Sequence, residues 1–139
     1  MEKKQSHLEM IQGVVNRLAQ NSFLLKGWSV ILVSALFALA ANNTNELFIY
    51  LAYFPAIAFW ILDGYFLWQE RLFRTLYDHV RLLEEAEIDF SMDTSAVKNT
   101  VKPWADATFS KTLRLFHGTI IGSVLVVMLL LLFLNQRGP

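Results

Sequence analysis

LFIYLAYFPAIAFWILDGYFLWQERLFRTLYDHVRLLEEAE, residues 47–87, is the stretch whose reading decides the fold. From Leu47 to Trp68 its 22 residues are apolar except for Asp63. Wound into a helix at 1.5 Å per residue they reach about 33 Å, enough to cross the hydrocarbon of a bilayer. From Gln69 onward the stretch keeps helix-forming residues but becomes charged, with Glu70 four residues before Arg74 and Arg74 four before Asp78, as on a solvated helix face. Phe59, Leu62, Phe66, Phe73, Leu76, Val80 and Leu83 recur three, four and seven apart across the change. This predicts one long helix that leaves the membrane without stopping and needs a partner along that seam.

Two further spans flank it. FLLKGWSVILVSALFALAA, residues 23–41, carries Lys26 near one end and Trp28 at interface depth. Residues 115–134 form a third apolar run, followed by the polar tail NQRGP. Ala38-Leu39-Ala40 has the small-residue pattern of a signal-peptidase site, but the long helical region ahead of the span argues for a retained helix. Residues 1–22 place Leu8, Ile11, Val15, Leu18 and Ser22 at helical spacing around Gly13, an amphipathic helix that either lies at the membrane surface or packs on the cytoplasmic end of the long helix. Packing is the favoured reading because the polar face is not especially basic. NNTNE, residues 42–46, reads as a turn; its Asn42-Asn43-Thr44 matches a glycosylation sequon but lies tight against the membrane. After Glu87 the polar IDFSMDTSAVKNTV reads as the bend of a hairpin. Pro103 then suits a first helical turn, and Phe109, Leu113, Phe116 and Ile120 form one face beyond it.

The expectation is therefore an all-α integral membrane protein, a single domain over 1–139. Its parts are a cytoplasmic amphipathic helix at 1–22, spans at 23–41, 47–68 and 115–134, and a cytoplasmic antiparallel helical hairpin at 69–114 formed by extensions of the second and third spans. Eleven of the 12 Lys and Arg residues lie before the first span's core or within 69–114, and only Arg137 lies in the tail. By the positive-inside rule the N-terminus and hairpin face the cytoplasm and the C-terminus faces out.

The composition narrows function mainly by exclusion. Hydrophobic residues make up 55% of the chain and its formal net charge is zero, so no basic field points to nucleic acid. There is no cysteine, which removes disulfides, thiol catalysis and Cys-based zinc sites. Neither a nucleophile elbow nor a phosphate loop occurs, His7 and His79 stand alone, and no spacing resembles a zinc site. No catalytic residue, metal or cofactor is expected. The acids Glu84, Glu85, Glu87, Asp89 and Asp93 read as a solvated tip rather than a divalent-cation site.

Asp63 is the one acid inside a span, and Lys26 and His117 lie at a similar depth on the other two. Charged groups at such depth are costly enough to mark function or a structural lock. Either Asp63 pairs with Lys26 or accepts from His117 as a staple, or it lines a pore; the staple is the favoured reading. Gly118 and Gly122 form a GxxxG that lets helix backbones approach, within one subunit or between two. Phe73, Leu76, Val80 and Leu83 form the hairpin or oligomer seam.

Asn21-Ser22-Phe23-Leu24-Leu25-Lys26-Gly27-Trp28, Phe59-Trp60-Ile61-Leu62-Asp63-Gly64-Tyr65, Gln69-Glu70-Arg71-Leu72-Phe73-Arg74 with Leu76-Tyr77, and Ser110-Lys111-Thr112-Leu113 together resemble a family of small bacterial inner-membrane proteins, the RipA-like octameric membrane proteins. The resemblance covers most of the chain. It implies a homo-oligomeric ring, an octamer, in the bacterial cytoplasmic membrane, with membrane lipids and other copies of itself as partners and no assigned enzymatic activity. At the level of architecture alone, the chain also resembles the two- or three-span effectors of bacterial antiphage systems. The favoured function is a non-enzymatic assembly or scaffold, with or without a central pore. The alternative is a gated ion channel or membrane-permeabilising effector with a sensing hairpin.

Because the native chain has no cysteine, its topology can be mapped by single cysteines. On intact cells an impermeant thiol reagent is expected to label Gly138→Cys and to spare Ser95→Cys; the reverse pattern would overturn the orientation.

Overall fold

The computed structural model describes residues 1–43 and 45–138. Four helices run in the order α1 (Glu2–Asn43), α2 (Leu47–Val80), α3 (Trp104–Thr108) and α4 (Lys111–Gln136), with short 3-10 turns at Glu85–Glu87 and Lys98–Thr100. Three of them, α1, α2 and α4, are long and apolar enough to cross a membrane. The sequon includes Thr44, which lies outside the described residues.

The two N-terminal segments separated in the sequence are one helix. Gly13 does not break α1: no neighbour lies within 4 Å of where its Cβ would stand, and the helix continues through it. The buried positions of α1 are His7, Ile11, Val15, Ser29, Val33 and Ala40, a single stripe along its length with Ser22 and Lys26 on the same face. α2 folds back antiparallel along that stripe. Ile11 packs with Leu76 and Val80 in one apolar cluster, and Val33 and Ala40 pack with Ile49, Ala52 and Ala56 in a second.

This pairing corrects the expected hairpin. The charged half of α2 is covered by the N-terminal half of α1 and by Ile88, Met92 and Val97 of the following loop, not by a helix leading into the third span. That helix does not form as expected: α3 has five residues, Phe109 and Ser110 interrupt it, and Ser110 is extended (φ −61°, ψ 156°). Phe109 is consequently 61% exposed instead of facing the seam. α2 also stops at Val80, short of Glu87. Glu84 turns extended, and its N–H donates to the Glu87 carboxylate at 2.8 Å, a local bond that competes with helix continuation. Leu62, expected on the seam, is 45% exposed, and the buried line passes through Asp63 and Gly64 instead.

The loop from Arg81 to Pro103 is held to the start of α1 by polar contacts over long sequence separations. The Glu85 carboxylate accepts from the backbone N–H groups of Lys3 (2.8 Å) and Lys4 (3.3 Å) and pairs with the Met1 amine at 2.6 Å. A carboxylate there satisfies donors that a helix start leaves open and complements its positive end. These contacts, the Met1 amine foremost, hold the Glu85 carboxyl below its usual range. Lys4 Nζ donates to the Leu83 carbonyl at 2.8 Å. Buried His7 binds the Ser91 carbonyl through Nε2 at 2.9 Å and packs against Phe90. Phe90 is the one described non-glycine residue with positive φ (57°), a conformation that persists where its surroundings fix it.

α3 lies against α2 at Gly64. A Cβ on Gly64 would stand 2.1 Å from Thr108 Oγ1 and 2.8 Å from its Cα, so only glycine admits the approach. Trp60 Nε1 donates to the Thr108 carbonyl at 2.8 Å and Trp104 Nε1 to the Ile61 carbonyl at 3.2 Å, fixing α3 from both sides. The two glycines give opposite expectations. Gly64→Ala should destabilise by about 1–3 kcal/mol through overpacking, whereas Gly13→Ala, in open space inside a helix, should stabilise by about 0.5–1 kcal/mol. Thermal unfolding of the two variants in detergent checks both signs.

Candidate functional site

Between the two apolar clusters of the α1–α2 pair lies a polar one. Ser22 and Lys26 are one turn apart on α1, Asp63 is on α2, and His117 reaches in from α4. The Asp63 Oδ2 atom accepts from Lys26 Nζ at 2.6 Å and from His117 Nε2 at 2.7 Å, while Oδ1 accepts from the Ser22 hydroxyl. Lys26 Nζ also donates to Ser22 Oγ at 2.9 Å. Asp63 and His117 have no solvent exposure, and the Lys26 side chain retains 21%.

The chemistry fixes the proton on His117. An ionised carboxylate can only accept, so Nε2 carries the hydrogen that faces Asp63. The ring is stacked on Trp60 (5.9 Å between centroids, 9° between planes) and meets Phe116 edge-on. Trp60 is in turn anchored on the Thr108 carbonyl, so α3 supports the imidazole through the indole. His117 Nδ1 and Ser29 Oγ are buried without a hydrogen-bond partner.

The Ser22–Lys26 contact has the reach of a nucleophile and its base. Lys26 Nζ, however, is already engaged by Asp63 and by Ser22 Oγ, and the Ser22 proton is directed to the same carboxylate, so the pair offers no free base. What the cluster does supply is attachment: one carboxylate receives three donors from two other helices.

The other sequence-derived positions lie apart from it. Leu76 and Val80 are buried in the cluster with Ile11, Phe73 packs at its edge, and the Leu83 carbonyl receives Lys4. Among the described residues nothing lies within 4 Å of the missing Cβ positions of Gly118 and Gly122, so none of the described helices packs closely on the GxxxG. Of the loop acids, Asp89 accepts from Ser91 N and Asp93 from Ser95 N, each at 2.9 Å, while Glu85 reaches the start of α1. Among the described residues no group of three or more His, Cys, Asp or Glu could hold a metal ion. Sequence reasoning assigned Ser22 only to an apolar stripe; its spacing of four from Lys26 was the available signal that it shares the lysine's face. His7 had no such signal, because its partner is a backbone carbonyl 84 positions away.

The three charged or titratable groups stand at one level. From Lys26 to Asn42 and from Leu47 to Asp63 the helices advance about 24 Å, and from His117 to Leu134 about 26 Å. A second polar contact marks the opposite end, where Asn135 Nδ2 donates to Glu46 Oε1 at 3.2 Å.

Comparison with protein-family models, curated proteins and solved structures finds no match for this chain.

Replacing Asp63 tests the attachment. Asp63→Asn offers an amide hydrogen where Lys26 and His117 both present donors, and leaves the lysine charge without its partner. A loss of about 2 kcal/mol is expected, below the roughly 3–5 kcal/mol of a fully buried pair because Lys26 can extend toward solvent. Adding Lys26→Met should recover part of it. Strict additivity of the two substitutions in a thermal double-mutant cycle would show that they are not coupled.

Proposed function

We propose that this chain is a non-enzymatic subunit of a homo-oligomeric membrane assembly in the bacterial inner membrane, acting as a scaffold. The observation that carries this reading is the complete burial of Asp63 and His117 within a single chain. A pore-lining carboxylate must reach the water of the channel, whereas a carboxylate sealed by three donors holds helices in place. The other polar groups along α4 point the same way. The exposed Thr119 and Ser123 hydroxyls donate to the carbonyls of Leu115 and Thr119 on their own helix, leaving the channel reading little polar surface.

Depth supports the membrane arrangement. The hydrocarbon of a bilayer is about 30 Å thick, so the Asp63 level, about 24–26 Å from the far ends of the three spans, falls close to the inner edge. There the Lys26 ammonium can reach headgroups while its stem stays apolar. The excess of Lys and Arg on that side supports a cytoplasmic orientation for it.

Self-association rests on the unused faces. Gly118 and Gly122 of α4 lie on the side of exposed Leu115, with none of the described residues within 4 Å of their missing Cβ positions, and close backbone packing at small residues is the main device by which membrane helices associate. The resemblance to the RipA-like octameric proteins supplies the expected stoichiometry of eight.

Native mass spectrometry from mild detergents should find a homo-oligomer, and Gly118→Ile with Gly122→Ile should shift it to smaller species while leaving the helical content unchanged. Monomers alone across several detergents would refute the assembly. Current through the purified oligomer whose cation selectivity changes with Asp63→Asn would replace the scaffold by a channel.

A further inference from the structure

We propose that the slot between α2 and α3 seats an anionic phospholipid, with Lys111 and Arg114 holding its phosphate. The slot has a volume of about 330 Å³ and is lined by Ile61, Trp104, Ala105, Thr108 and Phe109. Its walls are apolar because the indole N–H groups nearby are turned inward onto backbone carbonyls, Trp60 onto Thr108 and Trp104 onto Ile61. Phe109 meets Trp60 edge-on at 5.9 Å and keeps its outer face bare. Ile61 lies two residues before Asp63, so the slot opens at the inner edge of the hydrocarbon, where the upper part of an acyl chain lies.

The charge beside it is of the matching kind. Of the cations between residues 69 and 114, Arg71, Arg74, Arg81 and Lys102 each have a carboxylate within 4.0 Å. Lys98 stands over the Trp68 ring. Lys111 and Arg114, which follow Phe109 directly into α4, have no ion-pair partner among the described residues. They stand about 9 Å and 4.5 Å beyond His117 along the helix, at phosphate depth. The positive end of α4 points the same way and no side chain caps it. Ser110 at that end has a hydroxyl shielded from solvent and without a partner.

An apolar slot ending at Phe109, with unpaired cations two and five residues further along the chain, fits an amphiphile with a negative head. A second copy could satisfy the same cations only by presenting an acid at this depth, and the acids nearest it, Glu70 and Asp106, are already engaged by Arg74 and by Arg71 and Lys102. The proposal rests on the membrane reading of the three helices and is independent of self-association.

The test adds equimolar 1-palmitoyl-2-oleoyl phosphatidylglycerol and phosphatidylcholine to the purified full-length protein and counts retained lipid by native mass spectrometry. Phosphatidylglycerol should be preferred, and Lys111→Gln and Arg114→Gln should each reduce the preference about fivefold. Ala105→Trp, which fills the slot, should lower retention of phosphatidylglycerol with the cations intact, and Lys98→Gln should leave the preference unchanged. A measurement on the native chain needs no variant: acyl-brominated phosphatidylglycerol should quench its tryptophan fluorescence more than brominated phosphatidylcholine does. Equal retention of the two lipids, equal quenching, or a preference that survives the double substitution would overturn the site. A chain that stays helical and soluble without detergent would instead remove the membrane reading itself, a distinct result.

Discussion

One carboxylate organises this chain. Asp63 is buried with three donors around it, and they come from the two helices that α2 does not reach by its own hydrogen bonding. Burying a carboxylate is unfavourable unless its lone pairs are filled and its charge is balanced. Lys26 supplies the charge, Ser22 and His117 the remaining bonds. The penalty for any other arrangement is what gives the site its specificity: apolar helices can slide past one another at little cost, whereas Asp63 finds all its partners at one register. The apolar clusters on either side then follow from that alignment, Val33 against Ile49 and Ala52 at one end and Ile11 against Leu76 and Val80 at the other.

α3 is part of the same constraint. It is too short to be stable alone and persists because Trp60 and Trp104 tie it to α2, while Gly64 lets its backbone come within reach. The imidazole of His117 rests on the indole that Thr108 anchors. The interruption at Phe109 and Ser110 therefore has a structural use. A continuous helix from Pro103 to Gln136 would carry Thr108 away from Gly64 and leave Trp60 without its acceptor.

Much of the architecture was legible in the sequence. Three apolar runs of span length announce themselves, and Asp63, Lys26 and His117 stand out because charged or titratable groups are conspicuous in such runs and their depths match. What periodicity does not disclose is which element covers an apolar face. Phe73, Leu76 and Val80 mark a seam equally well for the residues after Pro103 and for the first half of α1, and it is α1 that lies there. The end of α2 was hidden for a related reason: LLEEAE is good helix composition, and it is diverted by the local Glu84–Glu87 bond and by the Glu85 contacts to residues 81 and 82 positions away. Leu62 and Asp63 illustrate the same limit, since pattern alone put the leucine inside and the acid's partners reversed the order.

The attachment of Glu85 and Ser91 to the start of α1 has a consequence for synthesis. The first turns of α1 leave the ribosome roughly 4–16 s before the residues that cap and cover them, at 5–20 residues per second. Through that interval His7 and Ile11, both buried in the finished protein, have no partner, and the helix start has open N–H groups. The amphipathic N-terminal half stays uncovered until α2 and the loop after it have been made, so its own contacts form well after its synthesis. Folding of this chain is thus staggered, its beginning completed from behind.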